Sequence, residues 1–313
     1  MSSYVHQTVL LDEAVVSILG ASDGVYVDAT FGRGGHTRHL LGKLGPGARV
    51  IGFDKDPAAI AAGQALAAED GRFSIVHESF ADILPVLAAR GLAGRVDGVL
   101  ADLGVSSPQL DDAERGFSFM NDGPLDMRMD PTRGQSAAAW IASVAEDELA
   151  DVMYQYGEER HSRRIARAIV KARQDKPITR TRELAEIVAA AHPAWEKHKH
   201  PATRAFQAIR IAINSELADI ERFLRDALAS LKPGGRLAVI SFHSLEDRLV
   251  KQFFQKEARG DDFPPGLPIT VDMLNPRLRL IGKAIDPSAA EVAANPRARS
   301  ARLRVAEKLA EAA

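Results

Sequence analysis

The chain has 313 residues, of which 46% are hydrophobic and 26% charged, and these ordinary globular values exclude wholesale disorder. Its formal net charge of -2 excludes a uniformly basic nucleic-acid binder but is compatible with a local basic patch. The sequence contains no cysteine, which excludes disulfides, thiolate catalysis and cysteine-based zinc sites.

The first predicted strand, at residues 25–30, leads directly into a glycine-rich turn that contains Gly32, Gly34 and Gly35. Glycine can adopt positive φ and lets backbone N–H groups approach a ligand closely. A helix predicted over 37–44 would begin beside that ligand with its positive end towards it. The pattern favours a nucleotide-like ligand over the alternative, a tight turn without one.

Strand and helix signals alternate through residues 25–103. Strands are predicted at 25–30, 49–54, 73–80 and 96–103, and helices at 37–44, 57–68 and 81–90. This alternation predicts an α/β fold with a parallel sheet and helices on both faces.

Three side chains at or near strand ends would share the carboxyl edge, where open α/β sheets bind ligands. Asp54 would accept hydrogen bonds from ribose hydroxyls, or alternatively cap the helix that Pro57 opens. Phe80 would cover an adenine ring, or alternatively belong to the core. Asp102 ends the fourth strand, and the three together favour one ligand site.

The sequence of the glycine turn also limits which classes of nucleotide ligand are compatible with it. The phosphate-loop pattern G-x-x-x-x-G-K-[ST] is absent, and the dinucleotide pattern G-x-G-x-x-G lacks its third glycine. A short turn that follows an acid, Asp28, suits a ligand with an amino-acid tail, because its ammonium group needs an acceptor, which Asp28 or a backbone carbonyl would supply. This chemistry favours S-adenosylmethionine over NAD.

The alternation stops after Gly104. A long structured loop is expected over 105–133, and helices are predicted at 137–141, 146–156, 160–173, 181–191 and 203–231. Residues 232–235 break the last helix, and strands follow at 236–242 and near 301–305. The pattern predicts a discontinuous domain, 1–105 and 204–313, with an inserted helical domain at 106–203.

The inserted region carries a basic segment. Residues 160–182 contain nine Lys or Arg and one acid, Asp175. At helical spacing the apolar residues Ile165 and Ile169 lie opposite a single-sign face, which favours phosphate contacts with RNA over a merely solvated face. That face consists of Arg160, Arg163, Arg164, Arg167 and Lys171.

Four aromatic residues and an acidic pair in this region have less specific interpretations. The aromatic residues could stack a splayed base, although a core position is the favoured interpretation for each; they are Phe117, Phe119, Trp140 and Trp195. Asp126 and Asp130 flank Arg128, and salt bridges within the loop are favoured over a Mg²⁺ site. We therefore assign no metal.

Several long strings resemble one known family. They are HQTVLLDEA (6–14), the glycine turn, DLGVSSPQLD (102–111), GPLDMRMD (123–130), HPATR (200–204) and SFHSLEDR (241–248). Over nearly the whole chain the sequence closely resembles the MraW family, ribosomal RNA small subunit methyltransferase H.

The resemblance implies a Rossmann-like class I S-adenosylmethionine-dependent methyltransferase sheet with an inserted all-helical substrate-recognition domain. It implies methylation of the exocyclic N4 amine of one cytidine in 16S ribosomal RNA, near the decoding centre (P site), with the small ribosomal subunit as partner. The implied cofactor contacts are Gly34, Gly35, His36, Asp54, Phe80, Asp102 and Gln109.

A cytosine N4 amine is a poor nucleophile, because its lone pair is delocalised into the ring. The enzyme must therefore accept a hydrogen bond from the amine and hold the amine nitrogen in line with the methyl–sulfonium bond. Asp102 is the first candidate, with the carbonyl groups of residues 106–108 as helpers, although it could serve the cofactor alone. His243 is the second candidate, although it could instead cap the next helix or bind a phosphate. Related amino-methyltransferases carry a polar–Pro–Pro–aromatic loop, which residues 106–109 match only in part.

Three other functions remain open on the sequence: the same chemistry on DNA, an RNA-binding assembly protein with an inert methyltransferase fold, and an NAD-dependent oxidoreductase. No secretory signal is visible, and no apolar run approaches the roughly 20 residues that cross a bilayer. We expect a cytoplasmic protein without a membrane partner. Its oligomeric state, with a homodimer allowed, and the assembly state of its substrate are open.

Overall fold

A computed structural model describes residues 8–193, 200–261, 263 and 273–310 of the chain. The seven strands are β1 Val25–Asp28, β2 Arg49–Asp54, β3 Phe73–His77, β4 Val96–Asp102, β5 Leu231–Ser241, β6 Leu278–Leu280 and β7 Arg302–Lys308. The helices are α1 Leu11–Ile18, α2 Gly35–Leu41, α3 Pro57–Glu69, α4 Ile83–Ala89, α5 Ser107–Asp111, α6 Ala137–Ser143, α7 Glu146–Gly157, α8 Ser162–Asp175, α9 Thr181–Ala191, α10 Ala202–Asn214, α11 Glu216–Ser230, α12 Ser244–Arg259 and α13 Ala289–Ala294.

The described residues fall into two compact units. Unit 1 comprises Met1–Gly104 and Leu217–Ala313, and unit 2 comprises Val105–Glu216. The boundaries expected from the sequence were 105/106 and 203/204. The second boundary lies later because α10 packs against α7 and α9, which belong to unit 2.

All seven strands form one sheet in unit 1, in the order β3-β2-β1-β4-β5-β7-β6. The pairs among β1 to β5 are parallel, whereas β7 runs antiparallel to β5 and β6 antiparallel to β7. The order 3-2-1-4-5 is that of doubly wound α/β folds. The predicted parallel sheet is confirmed, and the carboxyl ends of β1, β2 and β4 lie side by side.

Burial explains why these segments form strands. Val27, Phe53 and Val99 are completely buried, as expected for parallel strands that are covered on both faces and read as continuous apolar runs. Among the helices of the described residues, none combines the length and apolar character that crossing a bilayer requires.

Two of the differences between the predicted and the observed strand bounds have a clear structural cause. The third strand ends at His77 and not at residue 80, because Phe80 begins a 3₁₀ turn in which the Ser79 hydroxyl accepts a hydrogen bond from the Ala81 N–H at 3.1 Å. The strand predicted at 236–242 begins earlier, at Leu231, which pairs with Val96 of β4.

Unit 2 is helical and has its own core, in which Ile165, Ile169 and Leu184 are completely buried. The single helix predicted over 203–231 is two helices. Ser215 separates them with φ at 53°, a left-handed conformation that closes α10 through hydrogen bonds to the carbonyl groups of Ile211 and Ala212. The helix predicted at 181–191 matches α9 at both ends.

Candidate active site

The glycine turn after β1 is too crowded for side chains. Gly34 has φ at 78°, and a Cβ atom there would lie 2.7 Å from Cζ of Phe31. A Cβ atom on Gly35 would lie 1.9 Å from Oγ1 of Thr8. Only glycine fits both positions, because the side chains of Phe31 and Thr8 fill the space that a Cβ atom would need.

Asp28, at the end of β1, stabilises this turn by accepting hydrogen bonds from residues on both sides of it. Its side chain is buried and accepts hydrogen bonds from the Thr37 hydroxyl at 2.6 Å and the Thr30 N–H at 3.2 Å. Burial raises the pKa of Asp28 to about 6, although the hydrogen bond from Thr37 opposes this shift. Asp28, a candidate acceptor for a ligand ammonium, therefore already accepts two hydrogen bonds from within the protein.

Asp54 connects the end of β2 to the glycine turn. One carboxylate oxygen accepts the Gly32 N–H at 2.7 Å and the other accepts the Asp56 N–H at 2.8 Å. Burial raises the pKa of Asp54. The alternative role as helix cap belongs instead to Asp56, whose carboxylate accepts the Ala58 N–H at 3.0 Å.

Asp102 ends β4 with an acceptor that the protein leaves unused. Its N–H donates to the Thr30 hydroxyl at 2.6 Å, and Oδ2 lies 3.9 Å from Nδ1 of His36. Oδ1 is buried and has no hydrogen-bond partner among the described residues. Burial, together with the charges of Asp28 and Glu246, raises the pKa of Asp102 well above its usual value. A buried acceptor of this kind fits an N–H donor from a ligand.

His36 is buried beside Asp102. Its side chain is 5% exposed, and Nε2 lies 3.1 Å from the Val9 carbonyl oxygen. The carbonyl group fixes the ring, which holds Nδ1 of His36 3.9 Å from Oδ2 of Asp102.

Phe80 lies in a small aromatic and charged group at the end of β3. Its ring packs edge-to-face on Phe223 at 5.2 Å, and the Lys55 ammonium lies 5.8 Å from the ring centroid. Lys55 forms an ion pair with Asp219, which also accepts a hydrogen bond from Ser79. Neither Lys55 nor Asp219 was expected from the sequence, although the position of Lys55 directly after Asp54 was a usable signal.

His243 and Glu246 form the start of α12. The Nδ1 atom of His243 accepts the Glu246 N–H at 3.4 Å, and Nε2 lies 3.2 Å from a Glu246 carboxylate oxygen. Glu246 is completely buried and accepts the Phe242 N–H at 2.8 Å. His243 therefore caps the helix, as the alternative interpretation held, and Glu246 contributes to the raised pKa of Asp102.

Gln109 lies in unit 2, whereas the other six expected cofactor residues lie in unit 1. The Gln109 side chain is buried and its carbonyl oxygen accepts the Ser106 N–H at 2.9 Å, within a capping box at the start of α5. This contact fixes residues 106–109 as a helical turn.

The basic residues expected to contact RNA also lie in unit 2, on α8 and just before it. The opposite face of α8 is buried through Ile165 and Ile169, and Arg167 lies 3.5 Å from Glu146. The exposed residues are Arg160, Arg163, Arg164, Arg167 and Lys171. Of the other cations in the segment, Arg173 donates to the Ile141 and Val144 carbonyl groups and is therefore structural.

The remaining candidates of unit 2 are mostly structural. Phe117 and Trp140 are buried in its core, and Phe119 packs against Phe206 at 4.9 Å. Trp195 lies outside the described residues. Asp126 forms the expected salt bridge with Arg128 at 2.7 Å.

The sheet order and the direction of its strands define a doubly wound α/β fold, a class whose members bind nucleotide-like ligands at the carboxyl edge of the sheet. A family model described as the MraW methylase family matches residues 3–309, and the chain belongs to that family. Its fold is accordingly the Rossmann-like class I methyltransferase fold, and its cofactor is S-adenosylmethionine.

Solved structures with similarity to the chain include three bacterial proteins. A protein assigned as an rRNA methylase from Clostridium thermocellum has 12% identity over 98% of this chain and 100% of its own, with a TM-score of 0.45. An rRNA methylase from Streptococcus thermophilus has 12% identity over 95% and 93%, with a TM-score of 0.42. A protein assigned as a methyltransferase from Streptococcus mutans, in complex with SAH, has 12% identity over 94% of each chain and a TM-score of 0.42. We base the assignment on the family match, because it spans nearly the whole chain.

Proposed function

We propose that this methyltransferase modifies the exocyclic N4 amine of one cytidine in 16S ribosomal RNA of the small ribosomal subunit, near the decoding centre. The observation that carries this proposal is the buried, unpartnered Oδ1 of Asp102 at the end of β4. An amine N–H satisfies such an acceptor, whereas a carbon nucleophile offers no comparable donor.

The residues of unit 1 fit the cofactor on two observations. The turn after β1 carries no side chains at Gly34 and Gly35, and Asp54 and Phe80 supply a carboxylate and an aromatic ring near the neighbouring strand ends. In the proposal, these residues bind S-adenosylmethionine together with His36 and Asp102, which also lie in unit 1. The cofactor supplies a methyl group on a cationic sulfonium.

Asp102 is the residue that acts on the amine. Its carboxylate accepts an amine N–H, which localises the nitrogen lone pair, and it takes the proton that the nitrogen loses after transfer. A general base works best when its pKa is near the working pH, and burial raises the pKa of Asp102 in that direction.

His243 has the second role in this proposal. Its Nε2 atom lies 3.2 Å from Glu246, whose charge raises the pKa of Asp102. Because it contacts Glu246, His243 is a positioning residue that acts on Asp102 through that carboxylate.

Unit 2 is the RNA-recognition part of the proposal. The exposed cations of α8 and the residue just before it form a single-sign face that suits phosphate groups; they are Arg160, Arg163, Arg164, Arg167 and Lys171.

The deciding experiment incubates the full-length protein and labelled S-adenosylmethionine with naked 16S RNA, assembly intermediates, mature small subunits and single-stranded DNA. We expect one labelled cytidine, identified as N4-methylcytidine by mass spectrometry, in one of the ribosomal substrates and no label in DNA. Label on a carbon atom of a base, or on DNA alone, would contradict the proposal. The comparison among particles also identifies the assembly state that serves as substrate.

A further inference from the structure

Three helix ends of unit 2 meet at a polar cluster that is separate from the strand ends of unit 1. Glu159 follows the end of α7, where Glu158 adopts a left-handed conformation with φ at 50°. His161 is the N-terminal cap residue of α8, and His192 is the C-terminal cap residue of α9. One ligand atom from each of Glu159, His161 and His192 lies within 4.8 Å of the other two.

Glu159 gives this cluster a buried carboxylate oxygen that has no hydrogen-bond partner among the described residues. The residue is 1% exposed. Its Oε1 atom accepts the His161 N–H at 2.8 Å and lies 3.5 Å from Nε2 of His192. Its Oε2 atom is buried and has no hydrogen-bond partner among the described residues. A buried carboxylate oxygen without a partner is unfavourable unless a cation or a further donor compensates for it.

We propose that Glu159, His161 and His192 bind one divalent transition-metal cation, with Zn²⁺ as the best match. Two imidazole nitrogens and one carboxylate oxygen form a donor set that Zn²⁺ uses, with a fourth position for water. Ca²⁺ and Mg²⁺ prefer all-oxygen sites and fit this set poorly.

The observed separations are close to those of a tetrahedral site. Metal–ligand distances near 2.1 Å place neighbouring ligand atoms about 3.4 Å apart and two bound imidazole centroids about 5 Å apart. The separation of 3.5 Å between Glu159 Oε1 and His192 Nε2 matches the first value. The ring centroids of His161 and His192 lie 5.0 Å apart, which matches the second. Small side-chain rotations therefore complete the site.

The surrounding backbone adds to the preference for a cation. The C-terminal ends of α7 and α9 both point their negative dipole ends at the cluster, while the N-terminal end of α8 opposes them. A bound cation would join these helix ends and so fix the start of α8. The alternative is a simple ion pair between Glu159 and His192, which leaves Oε2 unsatisfied.

The test uses the full-length protein after removal of metal with a chelator. Zn²⁺ is titrated in competition with a chromophoric chelator, and Co²⁺ is titrated while the visible spectrum is recorded. We expect one equivalent of Zn²⁺ and the intense d–d bands of four-coordinate Co²⁺. His161→Ala, His192→Gln and Glu159→Gln should each weaken Zn²⁺ binding by a factor on the order of 100.

His39→Gln is the matched control, because His39 pairs with Asp12 in unit 1 and leaves the cluster intact; its affinity should equal that of the parent. Circular dichroism identifies the variants that fold. Absence of stoichiometric binding, or unchanged affinity in the folded variants, would overturn the proposal. If none of the three folds, the Co²⁺ spectrum of the parent decides, and a weak six-coordinate spectrum would count against the site.

Discussion

Three aspartates of unit 1 end neighbouring strands, and burial raises the pKa of each. They differ in what they contact. Asp28 and Asp54 accept hydrogen bonds from the glycine turn and its surroundings, whereas Oδ1 of Asp102 has no partner among the described residues. The first two therefore have structural contacts, and we propose that the third is available for chemistry.

Replacing Asp102 tests that distinction. Asp102→Ala removes both the acceptor and the base, so turnover at saturating cofactor should fall by roughly 10²- to 10⁴-fold. Methyl transfer to ribosomal particles measures this. Asp82→Ala, which removes a partly exposed carboxylate that pairs with Arg222, is the control and should keep its turnover. Near-native turnover of Asp102→Ala would remove Asp102 from the chemistry.

Asp28 should make stability depend on pH. Its pKa is about 6 in the folded chain against an ordinary value of 3.8, so the folded state binds more protons between these values. The free energy of unfolding contributed by Asp28 therefore falls as the pH rises from about 4 to about 6, by about 3 kcal/mol in total.

Denaturant unfolding of the parent and Asp28→Asn across this pH range checks the effect. Asparagine cannot ionise but keeps an acceptor for Thr37, so the variant should lose less stability as the pH rises. The difference between the two curves isolates Asp28 from carboxylates whose pKa is lowered, such as Asp70 and Asp122. Parallel curves would show that Asp28 does not carry the dependence.

At the scale of elements, the junction between α10 and α11 depends on an unfavourable backbone conformation. Ser215 is exposed and has φ at 53°, which glycine adopts without strain. Ser215→Gly should raise the free energy of unfolding by about 0.5–1 kcal/mol, measured with denaturant. Ser215→Ala is the control, because it removes the hydroxyl and keeps the strain; equal effects of the two changes would exclude the backbone explanation.

The basic face of α8 is the element proposed to bind RNA. Arg163, Arg164 and Arg167 replaced together by Ala should weaken RNA binding and lower the salt slope by roughly one for each phosphate group that the variant no longer neutralises. Binding at several salt concentrations measures both quantities. A variant with the same change in net charge, in which the exposed Arg49, Arg90 and Arg95 of unit 1 become Ala, should behave like the parent. Equal slopes in the two triple variants would contradict an RNA-binding role for this face.

Elements with a strong local signal could be predicted from the sequence, and the others could not. The buried runs of β1, β2 and β4 and the amphipathic α9 match their predicted positions closely. β6 has three residues with only one buried, which gives no pattern. Ser215 ends a helix without the usual glycine, and Leu231 joins β5 only because β4 pairs with it.

The residues of the candidate site also divide into those that a local sequence pattern predicts and those that it does not. Strand ends at Asp54 and Asp102 follow from the order of elements, and the glycine turn is visible in the letters of the sequence. The pairing of Lys55 with Asp219 and the cluster of Glu159 with two histidines depend on residues far apart along the chain. Such contacts exist only after packing, so no local pattern reports them.

At the scale of the whole molecule, the cofactor should stabilise unit 1 at its strand ends. Hydrogen exchange of the full-length protein with and without S-adenosylhomocysteine should show slower exchange in residues 29–36, 54–56 and 100–104. Ligand at about 100 times its dissociation constant adds about 2.7 kcal/mol to the native state. Peptides from α8 are the internal reference for a site confined to unit 1. Slower exchange there and none at the strand ends would place the ligand elsewhere.

Sequence order and sheet order disagree in unit 1, because β5 pairs with β4 but follows all of unit 2. A growing polypeptide thus completes its contiguous helical unit while β4 still lacks its neighbour. Until residues 231–241 emerge, the β4 edge has unpaired backbone groups that can associate with other chains. Biogenesis is therefore the stage at which this architecture is most vulnerable, and shortening the delay by circular permutation would relieve it.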